Sequence, residues 1–199
     1  MIFPTHRNRI IKKGMVRIIG GNLRGRNLEV PSGKHVRPSA DRVREALFSI
    51  LDHRLHWQDY TVLDLYAGSG ALGIEALSRG ARYACFVECL RKHERVLQKN
   101  LQSCKLTKEL YGVFFDRAEH WILSFQDPGN PSLVFLDPPY QENHYLQILN
   151  RISESDGIQN GSVVVIESPK KMEFEFPQNL EMIVQKIYGG TSLHLLEKH

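Results

Sequence analysis

The sequence predicts an α/β fold: a doubly wound, mostly parallel seven-stranded sheet, preceded by a small N-terminal β-ribbon and a helix. Two observations carry this prediction. From residue 60 onward, apolar runs of strand length alternate with stretches of helical periodicity, which indicates βαβ units and a sheet covered on both faces. Near the end of the chain, two strand-like runs flank Gly189-Gly190, a strong hairpin signal that predicts a closing antiparallel pair.

The composition of the 199 residues is typical of one globular domain, or of one domain with a small appendage. The hydrophobic share of 42% is too high for a disordered chain. No apolar run approaches the ~20 residues that cross a bilayer. The basic first residues lack the apolar stretch and cleavage site of a secretory signal. We therefore expect a cytoplasmic monomer with no membrane contact.

The cysteines predict neither a disulfide framework nor a metal site. Cys85, Cys89 and Cys104 are sparse and odd in number, which fits a reducing compartment. Cys85, Cys89 and His93 have CxxxC spacing with one histidine and no fourth ligand, which is not a usual zinc pattern. We expect structural cysteines and no bound metal.

Charge is unevenly distributed along the chain. Residues 1–60 contain 12 Lys/Arg and 5 Asp/Glu, whereas residues 61–199 contain 14 Lys/Arg and 17 Asp/Glu. A basic N-terminal third on a slightly acidic body favours a polyanionic partner such as nucleic acid. A well-solvated basic surface without a partner is the alternative.

The N-terminal region reads as a ribbon, a loop and a helix. Two short strands, Val16 to Ile19 and Asn27 to Val30, flank a Gly/Asn/Arg turn. After a loop, an amphipathic helix is predicted from Asp41 to Leu55, with Ser39 as its N-cap and Asp41 in its first turn.

The elements of the sheet follow in order. Strands are predicted at 61–65, 83–87, 111–115, 132–136 and 162–166, then at 181–188 and 191–196. Helices are predicted near 71–79, 90–104, 117–125 and 142–153. The chain thus divides into an extension (1–14), a basic ribbon and helix (15–58) and a main domain (59–199).

A glycine-rich turn follows the first strand of the sheet. The run VLDLYAGSGALG places Gly68-Ser69-Gly70 between a buried strand and a helix, where a ligand can approach the backbone closely. Gly68 to Gly73 also match GxGxxG, so a dinucleotide fold is an alternative, whereas a P-loop pattern is absent. Asp64, four residues before Gly68, suits a cationic amino group, and S-adenosylmethionine has one.

Two more carboxylates follow the next two strands. Glu88 lies at about the distance of a ribose-binding acid from the turn, and Asp116 lies where a side chain could meet an adenine amine. Because the carboxyl ends of parallel strands meet at one edge of a sheet, Asp64, Glu88 and Asp116 should face one ligand. For Glu88 taken alone, an ordinary surface carboxylate is the simpler interpretation.

A second motif, Asp137-Pro138-Pro139-Tyr140, directly follows the fourth strand. The two prolines stop the strand and fix a rigid turn. Such a turn can aim a backbone carbonyl and the Asp137 carboxylate at one amino group with two hydrogens to donate, and Tyr140 offers a face for stacking a base. A strand-ending turn with a core aromatic residue is the alternative.

These motifs resemble a known family. LDLYAGSG with DPPY is similar to the S-adenosylmethionine-dependent enzymes that methylate exocyclic amines of nucleobases. More narrowly, MVRIIGGNLRGRNLEVP, RPSADRVREALFSIL, ALGIEALSRGA and FLDPPY resemble the bacterial RsmD family of 16S ribosomal RNA (guanine-N2)-methyltransferases. The resemblance runs from Met15 almost to the C-terminus. Ser39 stands where threonine is usual, Asn27 where lysine is usual, and residues 1–14 precede the usual family start.

The resemblance implies the Rossmann-like methyltransferase fold, S-adenosyl-L-methionine as cofactor, and 16S rRNA or the small ribosomal subunit as partner. The cofactor would be bound by Asp64, Tyr66, Ala67, Gly68, Ser69, Gly70, Glu88 and Asp116. The target base would be held by Asp137, Pro138, Pro139 and Tyr140. RNA phosphates would be bound by Arg17, Arg24, Arg26, Lys34 and Arg37, although Arg37 could instead fold over the cofactor or brace the glycine turn.

Other functions remain open at this point. A DNA adenine-N6 methyltransferase would use the same chemistry, but 199 residues leave little room for a target-recognition segment. A non-catalytic RNA-binding protein could keep the fold, although intact Asp64, Glu88 and DPPY weigh against it. An NAD-dependent enzyme is a weaker alternative, because no hydride-transfer residues are apparent.

Overall fold

The computed structural model describes residues 14–31, 38–127, 129–138, 142–172 and 175–199. The strands in these segments are β1 (Met15–Arg17), β2 (Asn27–Glu29), β3 (Thr61–Asp64), β4 (Tyr83–Val87), β5 (Tyr111–Phe114), β6 (Ser132–Leu136), β7 (Val163–Pro169), β8 (Leu180–Tyr188) and β9 (Thr191–Lys198). The α-helices are α1 (Pro38–Asp52), α2 (Ala71–Ser78), α3 (Arg91–Ser103), α4 (Ala118–Trp121) and α5 (Glu142–Glu154). Short 3-10 turns span Trp57–Asp59, Lys108–Leu110 and Ile122–Ser124.

Seven strands form one sheet in the order β5-β4-β3-β6-β7-β9-β8, and β1 and β2 form a separate antiparallel ribbon. The first five strands of that order are parallel, and β9 runs antiparallel to both of its neighbours. This confirms the predicted fold class. From β3 the chain proceeds outward to β5 and then returns to β6 on the other side of β3. Ligands of such sheets bind where the strand order reverses, beyond the carboxyl ends of the strands.

The predicted elements are present, with several changed ends. The helix predicted over 41–55 begins earlier, at Pro38, and ends at Asp52. Ser39 therefore lies inside the first turn of α1, and the prediction that it is the N-cap is wrong. Proline suits a first helical position because its missing N–H would have no partner there. Asp41 lies in the first turn, as predicted.

The helix predicted over 117–125 is one turn of α-helix, α4, which continues as the 3-10 turn Ile122–Ser124. At the other end of the sheet, β7 continues to Pro169, three residues beyond the predicted end at Ile166. No helix of the described segments is long and apolar enough to span a membrane.

Two hydrophobic clusters cover the two faces of the sheet. Alternate residues of each strand point to opposite faces, so Val62 and Leu63 belong to different clusters. One cluster contains buried residues of the ribbon and of α1, α2 and α3, and Phe48 of α1 packs against Phe135 of β6 with ring centres 6.0 Å apart. The other contains α4 and α5, with Tyr145 fully buried. The ribbon and α1 thus share a core with the sheet, and the proposed boundary at residue 58 stays a prediction.

A buried carboxylate fastens the ribbon to α2. Glu75 is fully buried, and its two carboxylate oxygens accept hydrogen bonds from the backbone N–H groups of Ile19 and Gly20, each at 2.7 Å. The guanidinium of Arg79, one turn further along α2, lies 2.8 Å from the same carboxylate. Since a buried charge is tolerated only when it is paired and hydrogen-bonded, these contacts hold the residues that follow β1 against α2.

Replacing this carboxylate should destabilise the protein strongly. We expect Glu75→Ala to lower the free energy of unfolding by about 3–5 kcal/mol, because two backbone N–H groups lose their acceptor and the half-buried Arg79 guanidinium keeps only Asp52 as its ion-pair partner. Chemical denaturation measures the change. Glu45, an exposed carboxylate of α1, is the matched control, and Glu45→Ala should change the stability by less than about 0.5 kcal/mol. Equal effects of the two variants would contradict this account of Glu75.

Candidate active site

The carboxyl ends of β3, β4, β5 and β6 lie side by side at one edge of the sheet. In the ladders, Asp64 is paired with Phe86 of β4 and with Phe135 of β6, and Val87 is paired with Phe114 of β5. The residues that follow these strands therefore meet at the same edge. The structure brings together the four sequence positions that we predicted from their places at strand ends: Asp64, Glu88, Asp116 and Asp137.

The turn after β3 has a backbone that requires glycine. Gly68 and Gly70 have positive φ angles of 54° and 77°, a conformation that residues with a side chain rarely adopt. A Cβ atom at Gly70 would also lie 2.4 Å from Leu97 of α3. The Ala67 N–H donates to the Val87 carbonyl at 3.1 Å, which fixes the start of the turn to β4. Ser69, at the tip of the turn, is half-buried.

Glu88 is held in place by the glycine turn and by the start of α3. One carboxylate oxygen accepts a hydrogen bond from Gly68 N–H at 3.0 Å and the other from Leu90 N–H at 2.8 Å. The His93 ring nitrogen lies 3.4 Å from the first of these oxygens. A carboxylate has about four acceptor positions. Glu88 is therefore oriented by the backbone and can still accept hydrogen bonds from ligand hydroxyl groups.

Asp64 is buried beneath the turn, with 3% of its surface exposed. Its carboxylate accepts a hydrogen bond from Gly73 N–H, in the first turn of α2, at 3.1 Å. Gly73 is also required sterically, because a Cβ atom there would lie 2.3 Å from the ring of Phe86. This is the packing role that the third glycine of GxGxxG has between helix and strand. Asp64 thus places negative charge directly under the glycine turn.

A cavity of about 360 Å³ opens beside these residues. Its walls combine apolar side chains at strand ends with polar groups from the following loops: Leu65, Tyr66, Val87, Glu88, Cys89, Asp116, Arg117, Ala118 and Glu119. Three predicted cofactor residues, Tyr66, Glu88 and Asp116, line it. Asp64 and the turn residues Ala67 to Gly70 are not among its lining residues. The turn is connected to the cavity wall by the hydrogen bond from Gly68 N–H to Glu88.

Several lining residues had not been identified from the sequence. Cys89 and Arg117 lie two and three residues after the ends of β4 and β5, and this position was the signal that could have found them, whereas Glu119 lies in α4. Tyr66 donates its hydroxyl hydrogen to Glu119 at 2.9 Å. Burial raises the pKa of the Tyr66 hydroxyl, so this group remains a neutral donor.

Asp116 is more exposed than Asp64 and Glu88, with 35% of its side chain accessible. It accepts hydrogen bonds from Arg117 N–H at 2.7 Å and is 2.8 Å from the His120 ring nitrogen. The hydrogen bond from His120 holds the pKa of Asp116 below its ordinary value. The carboxylate is therefore an ionised acceptor at neutral pH, at the open side of the cavity.

The second motif is described only in part. Asp137 is half-buried and Pro138 is buried, whereas Pro139 and Tyr140 lie outside the described residues. Phe135 of β6 is paired with Asp64 of β3. Two residues beyond each member of this pair lie Asp137 and Tyr66, at the same level of the sheet. The Asp137-Pro138 turn therefore lies next to the residues that line the cavity.

Three of the five predicted RNA-binding residues, Arg17, Arg24 and Arg26, lie on the ribbon. Arg24 and Arg26 are exposed between the two strands of the ribbon. Arg17 is half-buried in β1, and its carbonyl accepts a hydrogen bond from the Arg44 guanidinium at 2.8 Å. Lys34 and Arg37 lie outside the described residues.

The three cysteines differ in their exposure to solvent. Cys85 and Cys104 are buried, and Cys89 is exposed. Burial raises the pKa of the Cys85 thiol to about 12, so it stays protonated at neutral pH. Among the residues that the structure describes, no group of three or more His, Cys, Asp or Glu side chains could hold a metal ion.

The cavity suits a nucleoside cofactor. Its volume lies within the range of about 300–1,000 Å³ that is typical of small-molecule sites. Leu65, Val87 and Ala118 offer apolar surface for a base, and the oriented carboxylate of Glu88 matches a pair of ribose hydroxyls. Negative charge from Asp64 under the turn matches a cationic amino group. A sheet of this order with this site defines an S-adenosylmethionine-dependent methyltransferase, and S-adenosylmethionine is the cofactor.

The particular family follows from comparison with known proteins. A family model described as conserved hypothetical protein 95 matches residues 16–197. The chain therefore belongs to this family, the RsmD family of methyltransferases.

Individual relatives agree with this assignment. The ribosomal RNA small subunit methyltransferase D of Haemophilus influenzae is 35% identical over 185 residues, which cover 93% of this chain and 95% of the relative. A solved structure of a methyltransferase from Escherichia coli is 31% identical, has a TM-score of 0.81 and covers 94% of this chain and 99% of that one. An S-adenosylmethionine-dependent methyltransferase from Streptococcus mutans, 11% identical, shares the fold, with a TM-score of 0.65 over 92% of this chain and 55% of that one.

Glu88→Ala should weaken S-adenosylmethionine binding by about 1–3 kcal/mol, the usual cost of losing a charge-assisted hydrogen bond. Isothermal titration calorimetry measures the affinity. Glu94→Ala is the control, since Glu94 is on α3 beside the same region but pairs with the exposed Arg91, and it should leave the affinity unchanged. If Glu88→Ala binds the cofactor like the wild type, Glu88 has no role in the cofactor site.

Proposed function

We propose that this protein methylates the exocyclic N2 amine of a guanine in small-subunit (16S) ribosomal RNA. The observation that carries the proposal is the Asp137-Pro138 turn at the end of β6, next to the residues that line the cofactor cavity. A relative named ribosomal RNA small subunit methyltransferase D, matched over nearly the full length of both chains, supports the choice of RNA. The DPPY motif and the N-terminal motifs favour an exocyclic amine of guanine.

The acceptor amine is a poor nucleophile, because its lone pair is delocalised into the ring of the base. Asp137 and the Pro138 carbonyl would accept hydrogen bonds from its two N–H groups, which favours a pyramidal nitrogen with an available lone pair. Tyr140 would stack on the base and orient that nitrogen. When bound, S-adenosylmethionine supplies a methyl group already activated by a positively charged sulfur. Positioning of this kind can contribute on the order of 7–11 kcal/mol to catalysis.

The cofactor would be held by the residues around the cavity. Glu88 would accept hydrogen bonds from the ribose, and Asp116 would meet the adenine amine. Asp64 and the turn from Tyr66 to Gly70 would enclose the methionine part. The pKa of Asp116 is already lowered by His120, so this acceptor should stay ionised as the solution becomes mildly acidic.

The RNA would be bound by the basic N-terminal region, through Arg17, Arg24, Arg26, Lys34 and Arg37. A target base must leave its stack at a cost of a few kcal/mol, which is smallest in a loop. Contacts to the flanking phosphates would supply affinity to offset this cost. For Arg37, an RNA contact predicts normal cofactor affinity in Arg37→Ala, whereas a lid or a brace of the glycine turn predicts a loss.

The function is tested by methyl transfer from labelled S-adenosylmethionine to naked 16S rRNA, small ribosomal subunits and duplex DNA. Digestion to nucleosides with mass spectrometry identifies the product. We expect N2-methylguanosine from ribosomal RNA or from the subunit. N6-methyladenosine from the DNA would instead favour the adenine-N6 alternative. RNA binding without methylation of any substrate would favour a non-catalytic protein.

Asp137→Ala should lower the turnover by on the order of a hundredfold or more, the usual cost of removing one preorganised polar group that acts in the transition state. Cofactor affinity should remain close to that of the wild type, because Asp137 faces the acceptor. Asp156→Ala is the control, as Asp156 is an exposed carboxylate beyond the end of α5. Wild-type turnover in Asp137→Ala would rule out the catalytic role of this motif.

A further inference from the structure

The solvent-exposed face of α3 carries a row of basic side chains, although this helix lies in the part of the chain with more acidic than basic residues. Residues 61–199 contain more acidic than basic residues, yet α3 exposes four basic side chains and buries the opposite face of the helix through Leu97, Asn100 and Leu101. Helical spacing of three and four residues places the basic side chains on one side of α3. We call them the α3 row: Arg91, Lys92, Arg95 and Lys99.

The α3 row is only partly neutralised. Arg91 pairs with Glu94 at 2.9 Å, and Lys99 lies 3.9 Å from the Glu29 carboxylate. Both ion pairs are solvent-exposed, and the attraction within exposed pairs is weak. Lys92 and Arg95 form no ion pair with any residue in the described segments. The row therefore presents net positive charge to the solvent.

One end of the α3 row lies at the cofactor cavity. The helix begins three residues after Glu88, and the Arg91 guanidinium lies 3.5 Å from the centre of the Phe115 ring. Phe115 is 42% exposed and directly precedes Asp116, which lines the cavity. A cation on an exposed aromatic ring thus lies after β5, at the same carboxyl edge of the sheet as the Asp137-Pro138 turn after β6.

The other end of the α3 row continues into the ribbon. Asn100 of α3 accepts a hydrogen bond from Glu29 N–H at 2.8 Å and donates one to the Glu29 carbonyl at 2.9 Å, so β2 lies against the helix. Lys99 lies 3.9 Å from the Glu29 carboxylate of β2, and the exposed Arg26 directly precedes that strand. The basic side chains of α3 and of the ribbon therefore adjoin.

We propose that the α3 row is an RNA-binding surface, which contacts phosphates of the strand that flanks the target base. This rests on the proposed function. From Arg91 to Lys99 the helix rises by about 12 Å, so the row presents several successive cations along a path from the ribbon to the active-site edge. A polyanion with regularly spaced phosphates complements such a row.

The test compares a variant that lacks the two charges of the α3 row nearer the ribbon with a variant that lacks two charges elsewhere. One variant carries Arg95→Gln with Lys99→Gln. Its control carries Arg54→Gln with Lys186→Gln, which removes the same two residue types from exposed positions after α1 and on the edge strand β8. Filter binding to 16S ribosomal RNA over a series of salt concentrations gives the affinity. Calorimetry with S-adenosylmethionine checks that both variants keep the folded cofactor site.

We expect the α3 variant to bind RNA more weakly at low salt, with a log–log salt dependence flatter by about 1.4 to 1.8, since each phosphate contact contributes about 0.7 to 0.9. The control should retain the wild-type slope, and both variants should keep the wild-type cofactor affinity. Equal slopes for the two variants would overturn the proposal. So would an α3 variant that binds RNA normally but no longer binds phosphatidylserine vesicles, because the row would then be a membrane surface.

Methyl transfer by the wild-type protein tests the underlying function separately. A wild-type protein that methylates no RNA overturns the proposed function and, with it, the RNA partner of the α3 row. A wild-type protein that methylates RNA, together with an α3 variant whose salt dependence is unchanged, overturns the α3 proposal alone.

Discussion

The side chain of Asn100 connects the parts of this protein that have to act together. It is buried, donates hydrogen bonds to the carbonyls of Ser69 and Glu29 at 2.8 and 2.9 Å, and accepts one from Glu29 N–H. The glycine turn, α3 and the ribbon thereby share one polar anchor. Leaving such groups buried and unpaired costs about 1–3 kcal/mol each. The position of the ribbon is therefore coupled to the geometry of the glycine turn.

In the candidate cofactor site, backbone N–H groups orient the carboxylates. Glu88 is directed by Gly68 and Leu90 N–H groups, and Asp64 by that of Gly73. A site whose acceptors are already oriented loses little conformational freedom when a ligand binds. The glycines permit the turn, and they also let Leu97 of α3 approach Gly70 and let α2 pack closely against Phe86 of β4 at Gly73.

The charge pattern along the chain does not show which basic residues lie together in the fold. Along the chain, the basic excess lies in residues 1–60 and the rest is slightly acidic. In the fold, β2 lies along α3, so the basic ribbon meets the basic side of a helix from the acidic part. Phosphate binding depends on where cations are on the surface, and in our proposal this arrangement would let one nucleic-acid strand contact both elements.

The sequence by itself determined the order and type of the elements, the edge of the sheet at which the site lies and the family. These depend on local periodicity, turn chemistry and motifs that read along the chain. It did not determine the start of α1 at Pro38, because the ends of helices depend on packing as well as on capping residues. Only the tertiary structure decided that Glu119 lines the cavity and that Glu75 and Asn100 anchor the ribbon. Those roles arise from contacts between residues far apart in sequence, which no local pattern encodes.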